Sequence, residues 1–142
     1  MRDAANRSIE ASSLQSGSFA QRIIDDFLSN NDYDKYLSSL RRGYTEKKKA
    51  FRDAMEEHLP DSMGWNDPAG GMFIWLRSPE GTDAMKLFEL ALSKGLVTMP
   101  GRPFHVSGGY NTIRLNFATP DDDDIVKGMK ILGDACRSLF GP

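Results

Sequence analysis

Apolar positions keep helical spacing through the first part of this chain and shift to strand-like spacing afterwards. After Ser18, the residues Phe19, Ile23, Phe27 and Leu28 recur every three or four positions, and Asn30, Asn31 and Asp32 supply a stop and a fresh cap. That pattern predicts a short helix. Tyr33, Leu37, Leu40, Tyr44, Lys48, Phe51, Met55 and Leu59 then follow in steps of three and four with charged residues between them, which predicts one amphipathic helix of about seven turns. Its stripe is too narrow for burial all round, so the helix is expected to lie across a surface and join two regions. Gly43 in its middle costs about 1 kcal/mol relative to alanine. Residues 1–18 carry no sustained period and read as an extended or partly ordered arm.

Beyond Pro60 the runs shorten. Residues 63–66 form a brief strand candidate, Asp67, Pro68, Ala69 and Gly70 a turn, and residues 71–76 an apolar, aromatic strand whose continuous hydrophobicity suggests burial on both faces. Thr82 or Asp83 then caps a helix carrying Met85, Leu87, Phe88, Leu90, Ala91 and Leu92, with Gly95 at its end. Residues 96–99 are a short strand, 100–111 a Gly- and Pro-rich loop, and 112–118 an alternating strand. The last helix opens with Thr119 as capping hydroxyl, Pro120 at the first helical position and four aspartates against the positive helix terminus. Ile125, Met129, Leu132, Cys136 and Leu139 form its inner stripe. The expected class is α+β: residues 1–31 as arm and short helix, 32–60 as a long linking helix, and 61–142 as a small β-β-α-β-β-α domain with helices over a sheet.

Composition narrows the function classes. With 39% hydrophobic and 27% charged residues over 142 positions, a genuine core is attainable without disulfide or metal staples. A formal charge of −2 gives no electrostatic reason to expect a nucleic-acid partner, since phosphate binding needs a concentrated cationic excess. One cysteine allows no internal disulfide and suits a reducing compartment, so the cytoplasm is the expected location. No stretch reaches the roughly 20 apolar residues of a membrane span, and the first residues show no apolar signal-peptide core.

Few side chains suggest chemistry on their own. Thr112, Arg114 and Asn116 share one face of a strand and Ile113, Leu115 and Phe117 the other, which by itself would make Arg114 a solvated polar-face residue. Gly70 and Gly71 are ordinary turn residues entering a strand, or small residues that let backbone approach a ligand. His58 and His105 read as surface residues, and with a single cysteine they make no recognisable zinc site. Asp121 to Asp124 lack the glycine turn and bidentate glutamate of a calcium loop and fit helix-start electrostatics better. Cys136, Trp65 and Trp75 read as core residues.

Three segments in order carry a likeness: Pro68-Ala69-Gly70-Gly71-Met72-Phe73-Ile74-Trp75-Leu76, Met99-Pro100-Gly101-Arg102-Pro103-Phe104, and Asn111-Thr112-Ile113-Arg114-Leu115-Asn116-Phe117-Ala118. With Leu40-Arg41-Arg42-Gly43-Tyr44 and Lys47-Lys48-Lys49-Ala50-Phe51 before them, they resemble the carboxy-terminal domain of fold-type I aminotransferases. The group most alike is class I/II, with its 2-aminoadipate, kynurenine and MocR-like enzymes.

The resemblance implies a small domain that closes over a site built mostly by an upstream domain binding pyridoxal 5'-phosphate. It assigns Arg114 to the arginine that grips the substrate's α-carboxylate, with Gly70, Gly71 and Phe104 as candidate site-lining residues. A planar guanidinium suits that task because two parallel N–H donors fix orientation as well as position. The lysine that carries the cofactor has no counterpart here, so this chain alone is expected to bind no cofactor and to be inactive. Substrates of the full enzyme would be an amino acid and a 2-oxo acid, and a homodimer stays open. Residues 1–31 would be a remnant of the large-domain boundary. The rival expectation is a free-standing α+β interaction or self-association module without catalysis; a split enzyme, with the cofactor domain on another chain, is a third.

Overall fold

The computed structural model describes residues 2–13 and 17–141, and these form two compact units, Met1–Leu40 and Arg41–Pro142. In the first unit, α1 covers Arg2–Ser13 and α2 covers Ser18–Asn30. The helix α1 stands where an extended or partly ordered arm was expected over residues 1–18, although positions 14–16 lie outside the described residues. Its sequence RDAANRSIEASS lacks Gly and Pro, so nothing local breaks a helix despite the missing apolar period. The stop between α2 and α3 (Tyr33–His58) falls where the cap residues predict it. Asn31 donates its side-chain amide to the Phe27 carbonyl at 2.8 Å, and Asp32 accepts from the Lys35 amide at 2.9 Å. The Tyr36 ring meets Phe27 edge-on at 6.0 Å and stacks near Tyr33 at 6.4 Å.

In the second unit, the last turns of α3 lead to β1 (Gly64–Trp65), β2 (Phe73–Arg77), α4 (Ala84–Ser93), β3 (Met99–Pro100), β4 (Thr112–Asn116) and α5 (Asp122–Phe140). The strands make an antiparallel sheet in the order β1-β2-β4-β3. This is the α+β arrangement expected from the pattern. Ile74 and Leu76 on β2, and Ile113 and Leu115 on β4, bury one sheet face against Phe51 and Met55 of α3, Leu87 of α4, and Ile125, Met129 and Leu132 of α5. The opposite face is not buried as the continuous hydrophobicity suggests: Phe73 and Trp75 are half-buried. Within this unit the core residues of α3, α4 and α5 gather on the first face, and the second face keeps Arg77 exposed, which leaves room for a site.

Three local readings change. The cap of α5 is Asp121, whose carboxylate accepts from the Asp124 amide at 2.8 Å, so Thr119 and Pro120 precede the cap. Both Ala118 and Pro120 instead offer their carbonyls to the Lys47 ammonium, each at 2.9 Å, tying α3 to the entry of α5. Leu139 is 38% exposed and drops out of the inner stripe, which ends at Cys136. Burial pushes the Cys136 thiol up to about 12, so it is a small core residue rather than a nucleophile. His58, half-buried at the end of α3, is less open than a surface residue, and its carbonyl accepts from Arg137 at 2.9 Å.

Close packing of α5 on the end of α3 rests on Gly133, where a Cβ would collide with the His58 carbonyl. Gly43 lies in open space on α3. Gly133→Ala is expected to lower stability by about 1–3 kcal/mol, because the overlap with a backbone atom outweighs the helix-propensity gain of about 1 kcal/mol. Gly43→Ala should raise stability by up to about 1 kcal/mol. Urea unfolding of both variants reads these opposite signs.

Candidate functional site

The open face of the sheet carries the cluster of interest. Antiparallel pairing places Arg114 of β4 directly opposite Trp75 of β2 on one side and opposite Met99 of β3 on the other. Residues directly opposite point to the same face, so Arg114 rises from the sheet between an indole and a thioether. Phe73 shares that face, two residues before Trp75, and its ring lies 4.2 Å from the guanidinium carbon. The Phe104 ring approaches the same carbon at 3.9 Å.

Phe104 reaches this position through a 3₁₀ turn, Arg102–Phe104, that follows β3. The turn is anchored where the Gly101 amide donates to the Thr112 carbonyl at 2.7 Å and the Phe104 amide donates to the Gly101 carbonyl at 2.9 Å. Gly101 is needed for this approach because a Cβ would run into the Thr112 side chain and stand 2.8 Å from its carbonyl oxygen. Phe104 and His105 both meet the Trp75 ring edge-on, at 6.0 and 5.3 Å, and His105 Nε2 lies 3.2 Å from the Thr112 hydroxyl. Trp75 is therefore a member of the open-face cluster and not of the core, and His105, though exposed, is tied into it.

Arg114 is electrostatically unfinished. Its Nε is buried without an acceptor, and no carboxylate pairs with it among the described residues. Lys48 and Arg52 by contrast have carboxylate partners, although the Arg52 Nε is likewise buried without an acceptor. Lys48 pairs with Asp67 at 2.6 Å and donates to the Pro68 carbonyl at 2.7 Å, and its ammonium holds the Asp67 carboxyl below the usual carboxylate range. A guanidinium between aromatic faces, with its N–H edge unspent, can take a carboxylate in its own plane.

The other sequence candidates fall apart in space. Gly70 and Gly71 are exposed, with Gly71 at φ +86°, and line a separate hollow with Arg41, Tyr44, Lys48 and Phe117. Phe104 alone of the three joins Arg114. The residues that pattern reading missed are Phe73, Trp75, Met99 and His105. A period-two Phe73/Trp75 face is visible in the sequence, but its pairing with Arg114 depends on the register between distant strands. No three His, Cys, Asp or Glu side chains gather as metal ligands among the described residues. No helix in them is long and apolar enough to cross a membrane.

A family model for class I and II aminotransferases matches residues 2–132. The chain belongs to that family. It is 36% identical over 121 residues to the 2-aminoadipate transaminase of Thermus thermophilus, covering 84% of this chain and 30% of that protein. The crystal structure of the α-aminoadipate aminotransferase LysN, also from Thermus thermophilus, matches with a TM-score of 0.86 at 33% identity, over 94% of this chain and 34% of that one. Kynurenine aminotransferase from Pyrococcus horikoshii matches with a TM-score of 0.84 at 31% identity, over 94% and 33%. This chain thus spans about a third of the length of these relatives.

Full-length aminotransferases of this family use pyridoxal phosphate. Lys47 and Lys48 spend their ammonium groups on backbone carbonyls and Asp67, Lys49 pairs with Asp53, and no lysine lines the cavity of about 450 Å³ beside Arg114. What the aminotransferase portion in hand offers is a cation on an aromatic face. Gly101→Ala is expected to displace the 3₁₀ turn, costing about 1–3 kcal/mol and altering the near-ultraviolet circular dichroism of Trp75 as Phe104 and His105 move from it.

Proposed function

We propose that this chain is the carboxy-terminal, substrate-carboxylate-binding portion of a pyridoxal-phosphate-dependent aminotransferase that exchanges an amino group between an amino acid and a 2-oxo acid. The supporting observation is Arg114: a partly desolvated guanidinium, ringed by apolar side chains and lacking an anion of its own. A charge so placed gains most from a ligand that brings a carboxylate, and a planar fork takes it through two parallel N–H bonds. The solved Thermus relative carries N-(5'-phosphopyridoxyl)-L-leucine, an amino acid joined to the cofactor, and this supports the reading by likeness. Residues 32–60 act as the link to the cofactor-binding portion. Phe104 contributes one wall of the carboxylate site, while Gly70 and Gly71 shape the turn leading into β2.

The chain by itself lacks the amine that holds the cofactor and is inactive. Mixed with pyridoxal phosphate, an amino acid and a 2-oxo acid, it should give no amino transfer above the protein-free rate. Lysine-dependent turnover would overturn this. Supplied with the cofactor-binding portion of a relative, an active assembly should lose about 100-fold or more in kcat/KM on Arg114→Gln, in keeping with loss of a charge-assisted pair.

One observation favours association as a second role. Within the first unit, α2 buries no residue and exposes Phe19 by 78%, with Ile23, Ile24 and Leu28 about half exposed. An apolar stripe of this kind is covered by association or swapping. Sedimentation over a concentration series should show assembly that Ile24→Glu abolishes; a monomer at every concentration excludes the role.

A further inference from the structure

We infer that Phe73 and Phe104 are positioning residues for the carboxylate: they clasp the Arg114 guanidinium and fix its plane without occupying any of its N–H donors. The inference rests on the carboxylate reading of Arg114 given above. An arginine has long, rotamer-rich freedom, and a free guanidinium presents its fork in many orientations. Proteins commonly restrain one with an acidic partner, but such a partner would compete with an incoming carboxylate. Arg114 has none among the described residues, and its Nε finds no acceptor. Two ring faces lie against it, at 4.2 and 3.9 Å from its central carbon.

The sheet order makes the clasp two-sided. Phe73 belongs to β2 and Phe104 follows β3, and these strands flank β4 on opposite sides. Ring faces attract the cation through their quadrupole while the guanidinium edge, where the donors lie, stays open. They also exclude water from both faces, which strengthens an ion pair formed at the edge. Each ring is held in turn. Phe73 sits in β2 opposite Asn116, and Phe104 is fixed by the Gly101–Thr112 backbone bond and by edge contact with Trp75. Phe104 is 46% exposed, so it can be altered without opening the core.

The test uses the whole chain, ¹⁵N-labelled at arginine, with acetate as probe and chloride as ionic control. In the native chain, acetate should shift the Arg114 side-chain signals more than those of Arg41, Arg77 or Arg102, and hindered rotation should keep the Arg114 Nη signals apart. Phe104→Leu should merge those signals and weaken acetate binding roughly three- to tenfold, the fold-change matching one cation–π contact. Phe104→Tyr should restore both, and Phe73→Leu provides a second variant from the other side. Backbone amide signals of β4 should stay in place throughout, separating orientation from unfolding. If Phe104→Leu and Phe73→Leu leave the Nη signals and acetate binding unchanged while acetate still selects Arg114, the clasp is refuted and the carboxylate reading stands. If acetate fails to select Arg114 in the native chain, both are overturned.

Discussion

The register of β2 against β4 governs this molecule. Five antiparallel pairs, Phe73 with Asn116 through Arg77 with Thr112, set Ile74 opposite Leu115 and Trp75 opposite Arg114. Because side chains alternate faces, a slip of one residue would drive the guanidinium into the core and turn Ile113 and Leu115 outward. Burying Ile74, Leu76, Ile113 and Leu115 therefore specifies, at the same time, where the cation stands.

The helices secure that register from one side only. Met55 and Leu132 are fully buried against the inner face, and α3 and α5 approach so closely that only glycine fits at 133. Lysines 47 and 48 then fasten α3 to the loops before α5 and β2. Both of these cations are satisfied within the chain. Arg114 has the rings of Phe73 and Phe104 against its guanidinium and, among the described residues, no carboxylate partner, and that contrast sets it apart from the structural charges around it.

Much of the fold was legible from local rules. The α2 stop at Asn31, the α4 cap at Asp83 and the long period of α3 all stand where spacing and capping chemistry put them. Reading failed where local signals were silent or ambiguous. α1 forms without an apolar stripe, and Asp121 displaces Thr119 as cap because either side chain could serve and the loop tied down by Lys47 decides between them. Trp75 looked like core because apolar composition cannot report which face of a strand remains uncovered.

By itself the sequence determined the stop of α2, the cap of α4 and the period of α3, the alternation that separates Arg114 from Ile113 and Leu115, and the ordered motifs that mark the aminotransferase family. Those features depend on neighbours a few residues apart, where spacing and caps act directly. Only the tertiary structure decided that Phe73, Trp75, Met99 and Phe104 surround one guanidinium while Gly70 and Gly71 lie elsewhere. The reason is physical: strand order and register arise from burying a shared core, and no local pattern encodes which distant ring will come to rest on a given charge.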